Sequence, residues 1–152
     1  MRALIAYESM TGTTKFAAEV MAVELLASGV ATRVVSVGDV TEADVADAGL
    51  VIVGTWTDGL LLVGQRPGKG AKLRRLPSLD GKRVAVYCTF AVDSGRTLEK
   101  LSRICSDLGG DVLGGMALHR KRVSEGAREF ADRLLGVLLP VPDVVEALEE
   151  PR

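Results

Sequence analysis

The sequence predicts an α/β fold, a three-layer α/β/α sandwich with a parallel sheet between two layers of helices. Three observations carry this expectation. Short apolar, β-branched runs recur along the chain, helical patterns separate them, and three of the runs are almost continuously apolar. A strand buried on both faces of a parallel sheet has that composition, and strand–helix alternation is what builds such a sheet. At 152 residues the chain has the length of one domain.

The elements follow in order. "RALIAY", Arg2–Tyr7, is the first strand. A helix comes next, with Phe16, Val20, Val23 and Ala27 at i, i+4, i+7 and i+11 as its inward stripe and Gly29 as its cap. Thr32–Val37 is the second strand. Thr41 then caps a short helix over Glu42–Asp47, with Asp44 three residues on, the spacing of a capping box. Leu50–Gly54 is the third strand. The connection from Thr55 to Lys82 carries Gly59, Gly64, Gly68 and Gly70 and is expected to hold only a short helix near Ala71–Leu76. Arg83–Cys88 is the fourth strand. Leu98, Leu101, Cys105 and Leu108 mark the next helix, closed by Gly109-Gly110. Asp111–Leu118 is the fifth strand, and Phe130, Leu134 and Val137 mark the last helix, capped by Ser124. The domain is expected over residues 1–140. The tail over residues 141–152 is acidic and proline-flanked, and is expected to be partly disordered.

Composition narrows the function. A net charge of −1 does not suit a general nucleic-acid binder. The amino terminus lacks a charged-then-apolar leader pattern, and no apolar run reaches about 18 residues, so the expected location is cytoplasmic, with no membrane span. Two cysteines, Cys88 and Cys105, are too few for a disulfide scaffold and lack metal-ligand spacing. The single histidine, His119, stands beside Arg120 and Lys121 and reads as surface.

The chemistry is concentrated after the first strand. Ser9, Thr11, Thr13 and Thr14 crowd around Gly12, and the first helix follows at once. Ligands of an open parallel sheet sit beyond the carboxyl ends of its strands. Backbone amides at a helix start are unpaired and carry partial positive charge. With four hydroxyls and a glycine that lets the backbone approach closely, the loop can wrap a phosphate using neutral donors. The spacing matches neither the nucleotide P-loop nor the dinucleotide glycine fingerprint. An ordinary capped turn is the alternative.

The run Ser9-Met10-Thr11-Gly12-Thr13-Thr14 resembles the phosphate loop of the flavodoxin family, S/T-x-T-G-x-T, at every fixed position. The resemblance covers about residues 1–138 and is closest to the short-chain flavodoxin pattern. It implies five parallel strands in the order 2-1-3-4-5 and an FMN phosphate held in this loop, usually without a cationic side chain. "VGTWTDG", Val53–Gly59, strengthens it, because flavodoxins often carry T-W-x-D there with the indole stacked on the flavin. The resemblance therefore assigns Thr55, Trp56, Thr57 and Asp58 to the cofactor site. Trp56 is the only tryptophan, and Asp58 alternatively reads as a turn residue. Thr89, Phe90 and Ala91 are expected along the flavin edge. Many flavodoxins place a tyrosine after the fourth strand; this chain has none there, which leaves one flavin face more open.

Charge also departs from the family, whose flavin surroundings are usually acidic. "RPGKGAKLRR", Arg66–Arg75, holds five cations and no acid. If these border the flavin, they favour the anionic reduced state and attract an acidic redox partner. The leading expectation is a flavoprotein for electron transport, with no catalytic side chain of its own. One alternative is an FMN-dependent oxidoreductase acting on a quinone or a protoporphyrinogen-like substrate. Another is a flavin-free binding module of the same fold. The sequence leaves the oligomeric state open.

Overall fold

The computed structural model describes residues 1–60 and 63–139. The expected tail over residues 141–152 lies outside them. Five parallel strands form the sheet: β1 (Arg2–Tyr7), β2 (Ala31–Ser36), β3 (Leu50–Leu60), β5 (Arg83–Phe90) and β6 (Asp111–His119). The order is β2-β1-β3-β5-β6, and β4 (Val63–Pro67) pairs antiparallel with the far end of β3. Counting parallel strands alone, this is the expected 2-1-3-4-5. The chain reverses its lateral direction between β1 and β3, and that switch point opens a crevice at their carboxyl ends.

Why these segments become central strands is visible residue by residue. Successive side chains of a strand point to opposite faces. In β1, Ala3 and Ile5 enter one core while Leu4 and Ala6 enter the other; in β3, Leu50 and Ile52 oppose Val51 and Val53. Every position meets a helix, so every position is apolar. The first core lies under α1 (Thr13–Ala27) and α5 (Val123–Leu138). The second lies under α2 (Glu42–Ala46), α3 (Gly70–Leu73) and α4 (Thr97–Asp107).

Two helix ends obey the sequence signals. Thr41 Oγ1 accepts from the Asp44 amide (3.1 Å) while the Asp44 carboxylate accepts from the Thr41 amide (2.9 Å). Helix α1 closes with Val30 N–H on Leu25 O and Gly29 N–H on Leu26 O, each 2.9 Å. Four expectations fail, one being Val137 of the last helix's expected stripe, which is 60 % exposed. The inward face of α1 is Thr14, Ala17, Ala18, Met21 and Leu25, whereas Phe16 and Val23 are 46 % and 66 % exposed. Helix α5 begins at Val123, before Ser124, without a side-chain cap. The glycine-rich third connection holds a β-hairpin as well as a short helix. Pro67 is tolerated there because β4 pairs on one side only. Among the described residues, no helix is long and apolar enough to cross a membrane.

Candidate functional site

The crevice at the switch point is a cleft with four walls. The β1–α1 loop contributes Met10, Thr11, Thr13 and Thr14; the outer part of β3 contributes Trp56 and Thr57; the end of β5 contributes Thr89, Phe90 and Ala91; and the turn after β6 contributes Arg120. Its enclosed volume is about 150 Å³. That is below the roughly 300–1,000 Å³ of closed small-molecule pockets, so a flat ligand of flavin size would lie across an open cleft.

The first wall is a helix start left free for a ligand. Gly12 is the residue before the helix, at φ 97°, ψ −11°, a left-handed turn that a side chain would disfavour. Its amide donates to Ser9 Oγ (3.0 Å), which folds the loop, and its carbonyl accepts from Phe16 N–H (2.9 Å). The amides of Thr13, Thr14 and Lys15 therefore have no partner within the helix. Among the described residues no side chain caps them, and no acid sits in the first turn. Thr11 is exposed and Thr13 half-buried. Thr14 is different: it is buried, and its hydroxyl pairs with that of Thr89 at 2.9 Å. The buried Tyr87 hydroxyl donates to Thr14 O (2.9 Å). Strand β5 thus grips the start of α1 at two points. Burial pushes the Tyr87 hydroxyl far above its usual range, so it remains a donor.

The second wall is built by the hairpin. Thr57 pairs with Pro67 and Asp58 with Arg66 across the β3–β4 ladder. Thr55 Oγ1 donates to Gly68 O (2.8 Å), and Gly68 N–H donates to Trp56 O (2.9 Å). A Cβ at Gly68 would lie 2.1 Å and 2.3 Å from Trp56 Cε2 and Cδ2, the ring-fusion carbons. Only an approach onto the ring face gives that geometry, so the Gly68 backbone covers one indole face. Thr57 Oγ1 is buried beside the Cys88 thiol and, among the described residues, has no other hydrogen-bond partner. A buried hydroxyl so poorly matched is one that a ligand could satisfy.

The cleft does not gather every expected residue. Ser9 and Gly12 shape the first loop without lining it. Thr55 is buried and spent on Gly68. Asp58 points to the neighbouring groove and faces Arg66 at 3.6 Å, both side chains more than half exposed. Phe90 does line the cleft, with its ring edge-on to His119 at 5.1 Å between centroids.

The cations divide differently from the expectation. Within Arg66–Arg75, Lys72 turns to the buried Glu8 carboxylate (3.1 Å), while Arg66, Lys69 and Arg74 line a separate groove. The cation lining the cleft is Arg120, which sequence reading did not assign to the site. Its signal was position: "HRKR" begins where the last parallel strand ends, on the carboxyl edge where ligands sit. Glu8, also missed, stands directly before the loop with Oε2 buried and unpaired.

With this geometry established, comparison gives the chain relatives. The family model described as flavodoxin domain matches residues 4–129. A comparison with curated proteins finds no match. Among solved structures, the Megasphaera elsdenii flavodoxin superposes with a TM-score of 0.66 at 21 % identity, covering 86 % of this chain and 98 % of that one. A Streptococcus pneumoniae flavodoxin gives 0.63 at 23 % identity, covering 88 % and 99 %. The rubredoxin:oxygen oxidoreductase of Desulfovibrio gigas gives 0.64 at 19 % identity, covering 91 % of this chain and 37 % of that larger one. At these identities the structural likeness speaks for the fold.

Proposed function

This chain belongs to the flavodoxin domain family, and from that premise we propose that it binds FMN in the cleft and carries electrons between redox proteins. Flavodoxins generally bind FMN and act with redox partners. One observation above all supports the reading. An uncapped, acid-free helix start ringed by threonines converges on the same cleft as the only tryptophan.

The bound FMN supplies the redox chemistry. The chain's own residues bind and orient it. The amides of Thr13, Thr14 and Lys15, with the hydroxyls of Thr11 and Thr13, would receive the phosphate. Ser9 and Gly12 hold the loop in shape for this, and Met10 lines the cleft at its exposed rim. Arg120 would add a cation to the phosphate end, unlike the neutral loops usual in the family. Thr14 works indirectly, pinning the helix start through Thr89 and Tyr87. The indole face of Trp56 not covered by Gly68 would cover the isoalloxazine. Thr57 Oγ1 would meet a polar ring edge, and Thr89, Phe90 and Ala91 would border the ring. Thr55 and Asp58 serve the hairpin that carries Trp56.

The test is an absorption spectrum of the purified protein, then titration of the apoprotein with FMN and riboflavin. Flavin absorbance and at least tenfold tighter binding of FMN are expected. Equal affinity for riboflavin would remove the phosphate assignment, and absence of flavin binding would leave a flavin-free module. Turnover of NAD(P)H with a quinone, without any partner protein, would replace the carrier by an oxidoreductase.

A further inference from the structure

Beside the cleft lies a groove of about 600 Å³ whose walls are strongly basic. Arg66 comes from β4, Lys69 and Arg74 from the segment after the hairpin, and Lys100 and Arg103 from α4. Asp58 is the only acid among the described lining residues, so the groove carries net +4 in a chain of net −1. The charge is therefore segregated: the remainder of the chain sums to −5. Arg66 is partly offset by Asp58 at 3.6 Å, and Lys100 Nζ is anchored on Gln65 O at 2.9 Å. Lys69 and Arg74 make no ion pair with any described residue. They face solvent, as a surface that steers a charged partner does.

The groove and the cleft are joined by one strand. Trp56 and Thr57 line the cleft and the next residue, Asp58, lines the groove. Met10, which lines the cleft, is 69 % exposed, and Val92, the residue after the cleft-lining Ala91, is 67 % exposed. Apolar side chains next to a charged surface are the anatomy of a transient protein interface.

We propose that this face docks an acidic redox protein, with carboxylates of the partner in the groove and the partner's apolar surface on Met10 and Val92. The proposal rests on the electron-carrier reading, since docking here would bring the partner's redox centre against the open side of the cleft. The groove residues set encounter and orientation; they make and break no bond. Opposite charge raises the association rate and does so less as salt rises.

The experiment measures binding of the purified full-length chain, FMN-bound where it retains FMN, to two probes, an acidic [2Fe–2S] ferredoxin and basic cytochrome c, at 20 and 500 mM NaCl. Tighter binding of the ferredoxin at low salt is expected, weakening at least tenfold at high salt. The pair R74E and R103E should weaken it at least tenfold, and R133E, on the far helix α5, should not. Where charge reversal impairs folding, as judged by circular dichroism, K69N with R74Q serves instead; asparagine tolerates the left-handed backbone of Lys69 (φ 55°). Preference for cytochrome c, or affinity unchanged in the folded variants, overturns the proposal. A protein that binds the acidic probe through these residues yet never takes up FMN sustains the groove and defeats the carrier reading, so the two failures are distinct.

Discussion

Replacing Gly68 by alanine tests whether the hairpin sets the position of the indole. Gly68 φ lies outside the left-handed region, so alanine brings no backbone strain there. The new Cβ would sit 2.1 Å from Trp56 Cε2 and 2.6 Å from Cζ2. Ordinary carbon contacts are about 3.5–4.0 Å, so the ring must withdraw by roughly 1.5 Å. The backbone cannot retreat in its place, because Gly68 is buried and held by Trp56 O and Thr55 Oγ1 at 2.9 and 2.8 Å. Overpacking of this kind costs about 1–3 kcal/mol of stability. An aromatic contact is worth about 0.5–1.5 kcal/mol beyond its area, so loss of stacking should weaken FMN binding about two- to tenfold. The assay is titration of apoprotein with FMN, followed by flavin fluorescence, alongside emission of the one tryptophan. Gly70→Ala is the control, since a Cβ there meets nothing within 4 Å. Unchanged emission and unchanged affinity in a folded Gly68→Ala protein would refute the stacking geometry.

Three further outcomes are expected. Arg120→Ala should weaken FMN about two- to tenfold and leave riboflavin unaffected; equal losses for both ligands would move the cation from the phosphate to the ring. Thr89→Val leaves the Thr14 hydroxyl buried without its partner and should cost about 1–3 kcal/mol, seen as a lower urea midpoint with unchanged slope; a midpoint equal to wild type would show that the grip on α1 contributes nothing. Burial raises both Cys88 and Cys105 to about 12, so at pH 8 each is a thiol and not a thiolate. The folded chain should react slowly with a thiol-disulfide reagent and the denatured chain promptly. Because the folded state holds these protons more tightly, their contribution to stability is full below the unfolded pKa near 9 and declines as pH climbs towards 12. Prompt labelling of native protein at pH 8 would contradict this burial.

The parallel strands were legible because their physics is local. A strand covered on both faces cannot hide its composition, as Leu50–Val53 and Val84–Cys88 show. The first loop was legible for the same reason: hydroxyls, glycine and helix start are neighbours in sequence. The face of α1 was not. The helix is apolar around much of its circumference, and the buried positions include the small Ala17 and Ala18, whose modest hydrophobicity is outweighed by Phe16 and Val23 on the other side. The hairpin was hidden by Gly59, Gly64 and Gly68, which read as loop until the strand pairing is seen. Arg120 and the α4 cations were invisible as site residues, because the crossover connections alone bring them beside β3 and the first loop.

The antiparallel extension from β3 to β4 has a bearing on how such proteins diversify. It pairs with the sheet through β3 alone and is tied to α4 by Lys100 Nζ on Gln65 O (2.9 Å), while the start of α1 is bolted to the core through Tyr87 and Thr89. Reshaping or recharging that appendage would alter what borders the cleft and which surface greets a visitor, at a cost set by its contact with α4. Exchanging one hairpin for another would therefore change the cover of the cleft and the charge of the groove together, while the Tyr87 and Thr89 anchor at the start of α1 stays in place.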